Sequence, residues 1–131
     1  MVGVRIIDSQ AKAVIAAQAA LEKHAEDVVI MDLRSLSTVT DFFVIGTAGS
    51  ARQMAAITTH IEATLATQDC PVWHTEGPTE LSEPMRELDQ ELQWVLMDCG
   101  EIVVHLLDRR ARSFYRLEDL WADAPRVPVT S

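Results

Sequence analysis

The chain has almost nothing with which to staple itself and nothing with which to cross a bilayer. Cysteine occurs twice in 131 residues, at Cys70 and Cys99, in no C-x-x-C or other zinc spacing. A disulfide framework and a thiolate metal site are therefore not expected. The two thiols read as reduced cysteines of a cytoplasmic protein. No apolar run approaches the ~20 residues of a membrane span. The opening "MVGVRIIDSQ" also lacks the apolar core of a secretory signal. Basic residues are scarce: 11 Lys+Arg stand against 20 Asp+Glu, a formal charge of −9. Phosphate backbones are gripped mainly by Lys and Arg, so no direct nucleic-acid binding is expected. A basic protein partner would be attracted instead, although the same charge also serves solubility alone. Internal repeats and low-complexity tracts are missing as well.

What is present is a foldable core. Apolar residues make up 48% of the chain, and its length suits one domain, residues 1–131. Asp8 or Ser9 can cap a first helix running to about His24, with Val14, Ile15, Ala17 and Leu21 at helical spacing. "DVVIMDL" (27–33) and "FFVIGT" (42–47) are apolar on successive residues, which suits strands covered on both faces. Ser50 caps a second helix, with Gln53 three residues on as in a capping box. Met54, Ile57, Ile61 and Leu65 form its buried stripe. "CPVWHT" (70–75) reads as a short strand near an edge, because Pro71 cannot donate to a ladder. An exposed acidic excursion occupies about 77–92. Asp108 can cap a last short helix containing Phe114 and Tyr115. Leu117, Leu120 and Trp121 follow and read as core. The ordered core is expected over about 8–121, with a tail at 122–131 that has little to bury. Strands separated by helices, plus one hairpin, imply an α/β fold: a mixed β-sheet with packed helices.

Candidate chemistry is thin. "GTAGSARQ" puts Gly49-Ser50 at a helix N-terminus, where free N–H groups and the helix dipole favour an anion. A P-loop would need a Lys that is absent, and Gly46-x-x-Gly49 is not a dinucleotide fingerprint. A nucleotidyltransferase would follow such a turn with paired carboxylates for two metal ions. Between Ser50 and Gln68 the only acid is Glu62, which leaves the metals without ligands. An ordinary capped helix explains the turn. His24, His60, His74 and His105 match no zinc spacing. Asp32 and Asp41 are explained by capping the loop they flank.

"QWVLMD" and "EIVVHLL" form a hairpin around Cys99-Gly100. With the turn centred there, Asp98 pairs with Glu101, Met97 with Ile102, Leu96 with Val103, Val95 with Val104 and Trp94 with His105. Alternation then gives two faces. Val95, Met97, Ile102 and Val104 make an apolar core face. Trp94, Leu96, Asp98, Glu101, Val103 and His105 make a mixed face. That mixture suits a protein interface, a Trp anchor ringed by polar groups. The alternative is that a helix covers it and Trp94 is simply buried.

The residues "DVVIMDLRSLSTVTDFFVIGTAGSARQ" and "WVLMDCGEIVVHLLDRRARSFYRLEDLWADAP" closely resemble the Iojap family of ribosomal silencing factors. The shared elements are D-L-R, T-D-[YF]-F-V-I, a small-residue G-x-S-x-R-Q turn, W-x-x-x-D-x-G-[DE]-x-x-V-H and a closing F-Y-x-L-E-x-L-W, over about Glu26 to Pro125. The resemblance implies a nucleotidyltransferase-like fold without catalytic residues, cofactor or metal. It implies binding to the large ribosomal subunit through ribosomal protein L-fourteen, blocking union with the small subunit and repressing translation when nutrients are scarce. It also implies homodimers. The partner-binding residues it points to, together with the hairpin, are Trp94, Asp98, Glu101, His105 and Tyr115. Glu118 and Trp121 match the closing motif. The chain departs from the family in its acidic segment before Trp94, and in carrying Cys99 and Glu101 where Tyr or Leu and Asp are usual. The competing reading is a nucleotidyltransferase-type enzyme using the Gly49-Ser50 turn.

Overall fold

The computed structural model describes residues 8–77 and 93–129. Chain order is α1 (Ser9–Glu22), β1 (Glu26–Asp32), β2 (Phe42–Thr47), α2 (Ala51–Ala66), β3 (His74–Glu76), β4 (Trp94–Asp98), β5 (Ile102–Leu107), α3 (Arg109–Tyr115), α4 (Leu117–Leu120) and β6 (Arg126–Val127). The strands form one sheet in the order β3-β4-β5-β2-β1-β6. Only β2 and β5 pair in parallel among the described strands. The expected mixed sheet with packed helices is therefore present.

Short-range chemistry sets the helix starts. Asp8, Ser50 and Asp108 each accept the N–H three residues on, at 2.8, 3.0 and 2.7 Å. Each ties down one of the donors a helix start leaves unpaired. Asp32 caps its loop as expected, accepting from the Arg34 N–H at 3.0 Å and from its guanidinium at 2.7 Å. On α2, Met54, Ile57, Ile61 and Leu65 are all buried. On α1 the buried face matches the expected one only at Ala17; its other buried alanines are Ala13, Ala16, Ala19 and Ala20. Val14 and Ile15 are only partly buried at its margin. Alanine offers little apolar area, yet it lets the helix approach α2 and the sheet closely.

Helices α1 and α2 cover one face of the sheet, over Phe42, Val44, Val95, Met97, Ile102, Val104 and Leu106. The other face packs Met31, Leu33, Ile45 and Leu107 against Ala111 of α3 and Leu117 of α4. Three segments differ from what their sequence predicts. The tail, expected to bury little, supplies β6, which pairs with β1 and brings Ala124 into the core. Leu120, read as core, is 73% exposed. "CPVWHT" is extended into a strand only from His74, and Trp73 before it is 73% exposed. The acidic segment lies outside the described residues from 78 to 92.

The hairpin turns one residue later than expected. Cys99 N–H donates to the Ile102 carbonyl at 2.9 Å, and Gly100 takes φ 84°. Trp94 thus faces Leu107, Leu96 faces His105 and Asp98 faces Val103. Each partner lies two positions from its expected place. A slip of two preserves both faces, where a slip of one would have exchanged them.

Gly77 marks the point where β3 ends. Its φ is 113°, and a Cβ there would stand 2.2 Å from the Trp94 carbonyl oxygen and 3.0 Å from the Val95 Cα. Both obstacles are backbone, so the sheet itself would have to move. Gly77→Ala is expected to destabilise the fold by ~2 kcal/mol or more, read as a fall in thermal midpoint. An unchanged midpoint would show that this crossing of chains is not close.

Candidate interaction face

The second face of the sheet can be laid out in rows from the observed registers. One row runs Asp98, Val103, Phe43, Met31; the next runs Leu96, His105, Ile45, Val29; a third holds Trp94, Leu107 and Thr47. Helix α3 covers only part of this surface. It is pinned by Arg112, which donates to Thr47 Oγ1 and the Asp27 carbonyl, both at 2.8 Å, and to Glu118 at 2.7 Å. Burial pushes the Glu118 carboxyl up, but the hydrogen bond and charge of Arg112, joined by a backbone hydrogen bond and the charge of Arg126, together outweigh it and hold the carboxyl below its usual range. Glu118 of the closing motif therefore fastens α4 to α3.

A chain of rings crosses the face. Trp121 meets Phe43 edge-on at 5.9 Å, and Phe43 meets His105 at 4.5 Å. His105 lies 5.7 Å from Trp94, Trp94 lies 4.6 Å from Tyr115, and Tyr115 meets Phe114 at 5.1 Å. The outer end is open: Tyr115 is 40% and Phe114 69% exposed. Trp94 is half-buried, and with Glu76, Gly77 and Leu96 it lines a hollow of about 310 Å³. Aromatic anchors at the margin of a hollow are what a protein-binding surface needs.

Three of the expected site residues, Trp94, His105 and Tyr115, are in mutual contact or one ring apart. His105, however, lies beneath the surface, only 4% exposed. Its Nδ1 accepts from Trp94 Nε1–H at 3.1 Å. Burial lowers its pKa to about 4, so the ring is neutral near pH 7. Asp98 sits at the turn end of β4, ~13 Å along the strand from Trp94. There its carboxylate accepts the Gly100 N–H at 2.8 Å. Glu101 is taken off the face altogether. The shifted register places it in the turn, and its carboxylate reaches Lys12 of α1 on the opposite side of the sheet. Sequence reasoning missed Phe43, whose place beside His105 depends on the parallel β2–β5 pairing. It also missed Trp73, whose ring covers Gly100 closely enough to meet a Cβ there at 2.9 Å.

The Gly49-Ser50 turn makes its described contacts within the chain. Gly49 N–H donates to Gln53 Oε1 at 2.6 Å, while the Gln53 amide binds the Lys23 and His24 carbonyls. Arg109, whose guanidinium lies against Gly49, is held by Glu26 at 2.7 and 3.0 Å. The one acid of α2, Glu62, accepts from Thr75 on β3. Twelve helical rises separate it from Ser50, ~18 Å. Among the described residues no cluster of three His, Cys, Asp or Glu could hold a metal ion. Burial raises both thiols, Cys99 to about 12, so they are protonated and unreactive.

The architecture defines a small mixed α/β domain with a partly exposed aromatic face. A family model described as "Ribosomal silencing factor during starvation" matches residues 6–131, and the chain belongs to that family. It is 37% identical over 111 residues to the ribosomal silencing factor RsfS of Bacillus subtilis, an overlap of 85% of each chain. It is 31% identical over 117 residues to the chloroplastic protein Iojap of Zea mays, covering 89% of this chain and 46% of the maize protein. A crystal structure of a Chromobacterium violaceum protein superimposes with a TM-score of 0.76 at 22% identity, covering 95% of this chain and 94% of that one. That likeness bears on the fold. Family membership makes the ribosome the partner and regulation the role.

Proposed function

We propose that the protein silences ribosomes by binding the large subunit through ribosomal protein L-fourteen and sterically blocking the small subunit, without enzymatic chemistry. The observation that carries the reading is the aromatic face of Trp94, Tyr115 and Phe114, open beside a hollow and backed by a rigid sheet. An acidic chain of charge −9 is steered towards a basic ribosomal protein, and the apolar rings then hold it. A domain of this length is ~30 Å across, bulky enough to keep two subunit surfaces apart. The engaged Gly49-Ser50 turn favours occlusion over nucleotide transfer. A cytoplasmic location follows from such a partner.

The test is a sucrose-gradient titration. Purified protein added to free large subunits is expected to lower the yield of joined ribosomes in proportion to occupancy, approaching completion near one copy per subunit and needing no nucleotide. Inhibition by trace amounts, or only with nucleotide, would mark an enzyme that modifies the subunit. Normal joining at full occupancy would end the steric reading.

A further inference from the structure

We propose that His105 is the positioning residue of this face: its Nδ1 holds the Trp94 indole in the orientation that meets a partner, while the imidazole itself stays beneath the contact.

An indole N–H is a donor and nothing else, and here it donates to His105 Nδ1 at 3.1 Å. With Nδ1 accepting, the neutral ring carries its proton on Nε2. That atom is buried and has no hydrogen-bond partner among the described residues. A buried donor left unpaired is costly. The row neighbours across the sheet are Leu96 and Ile45, and an aliphatic residue in this place would avoid that cost. The histidine is accounted for by what Nδ1 does, which is to give direction. The ring is in turn clamped edge-on by Phe43 at 4.5 Å, with an interplanar angle of 73°. Phe43 is itself held by Trp121. The acceptor is thus fixed to the sheet, and the indole is fixed to the acceptor. Beyond it, Trp94 packs on Tyr115 at 4.6 Å. Preorganising a large aromatic before association removes an ordering cost from binding.

The consequence for affinity rests on the silencing reading; the consequence for Trp94 does not. The experiment therefore reads both. Three variants are compared with the wild-type chain. His105→Phe keeps a ring and removes the acceptor. His105→Asn places a carbonyl oxygen where Nδ1 stands. Trp94→Phe removes the donor and assigns the Trp94 indole resonance. In ¹H–¹⁵N spectra, His105→Phe should shift the Trp94 indole N–H and speed its hydrogen exchange roughly tenfold, as loss of one hydrogen bond predicts. His105→Asn should restore slow exchange. Affinity for purified large subunits should fall roughly tenfold in His105→Phe and Trp94→Phe and recover in His105→Asn.

An indole signal unchanged in His105→Phe would overturn the proposal. So would a disturbed indole with wild-type affinity. If His105→Phe does not fold, the contrast between His105→Asn and Trp94→Phe decides: equal exchange protection in wild type and His105→Asn, with reduced affinity in Trp94→Phe, supports the proposal. Loss of protection in His105→Asn overturns it. A wild-type chain that shows the protected indole but binds no large subunit would refute the silencing reading alone.

Discussion

On acidification from pH 6.5 to about 4, folded wild-type protein is expected to lose on the order of 3 kcal/mol through His105 alone. Burial holds the imidazole's pKa near 4 in the folded chain, against an ordinary value of 6.5. Above pH 6.5 the ring is neutral in both states and the fold is unaffected. Below it the unfolded chain takes up a proton that the folded chain refuses, so stability falls with pH until the folded ring titrates. Glu26, Asp32 and Glu118 are held below their usual range by Arg109, Arg34 and Arg112, and their stabilisation starts to be lost as pH falls through the ordinary values of 4.5 for Glu and 3.8 for Asp, so it overlaps only the acid end of this window. Urea midpoints at pH 7, 5.5 and 4.5 measure the effect. His105→Asn should flatten the profile across that window. Parallel profiles for the variant and the wild type would show that His105 is not buried as described.

Trp94→Ala should cost ~2 kcal/mol or more in binding to the large subunit, the usual effect of truncating a central aromatic anchor. The same change removes the contact with Tyr115 and strands His105 Nδ1. It should therefore also cost ~1–3 kcal/mol of stability and lower the thermal midpoint by several degrees. The sequence alone suggests a milder effect on stability, because the hairpin pattern shows a surface tryptophan and not its tie to His105. Affinity measured well below the midpoint separates the two effects. A folded variant that binds as tightly as wild type would remove Trp94 from the interface.

What could be read without coordinates was whatever is local. The caps at Asp8, Ser50 and Asp108 lie within four residues of the groups they satisfy. The runs at 27–33 and 42–47 declare a two-sided strand by composition, and β1 and β2 lie there. The two faces of the hairpin survived a wrong turn because even slips keep parity. What failed depended on distant partners or weak signals. The alanines of α1 carry too little hydrophobicity to reveal their face. Two residues of β6 make too short a pattern to read as a strand. Glu101 left the proposed face because a single glycine can serve more than one loop, and Gly100 took the later one. The ring chain was invisible for a different reason: Phe43 reaches His105 only through a parallel pairing across some sixty residues.

The near-contact of Gly77 with the Trp94 backbone bears on how this lineage could vary. The strands on either side, β3 and β4, pair with Glu76 opposite Leu96, so the two ends of the intervening segment are already side by side. Joining them asks little of the segment, and doubling a loop's length adds only about 0.6 kcal/mol of closure entropy. Beyond Gly77, chain length can therefore change at small entropic cost while the pairing of β3 with β4 stays as it is. Gly77 also lies at the lip of the hollow beside Trp94. Evolution thus has a place where new residues can be brought to the edge of the partner surface without redesigning the domain that carries it.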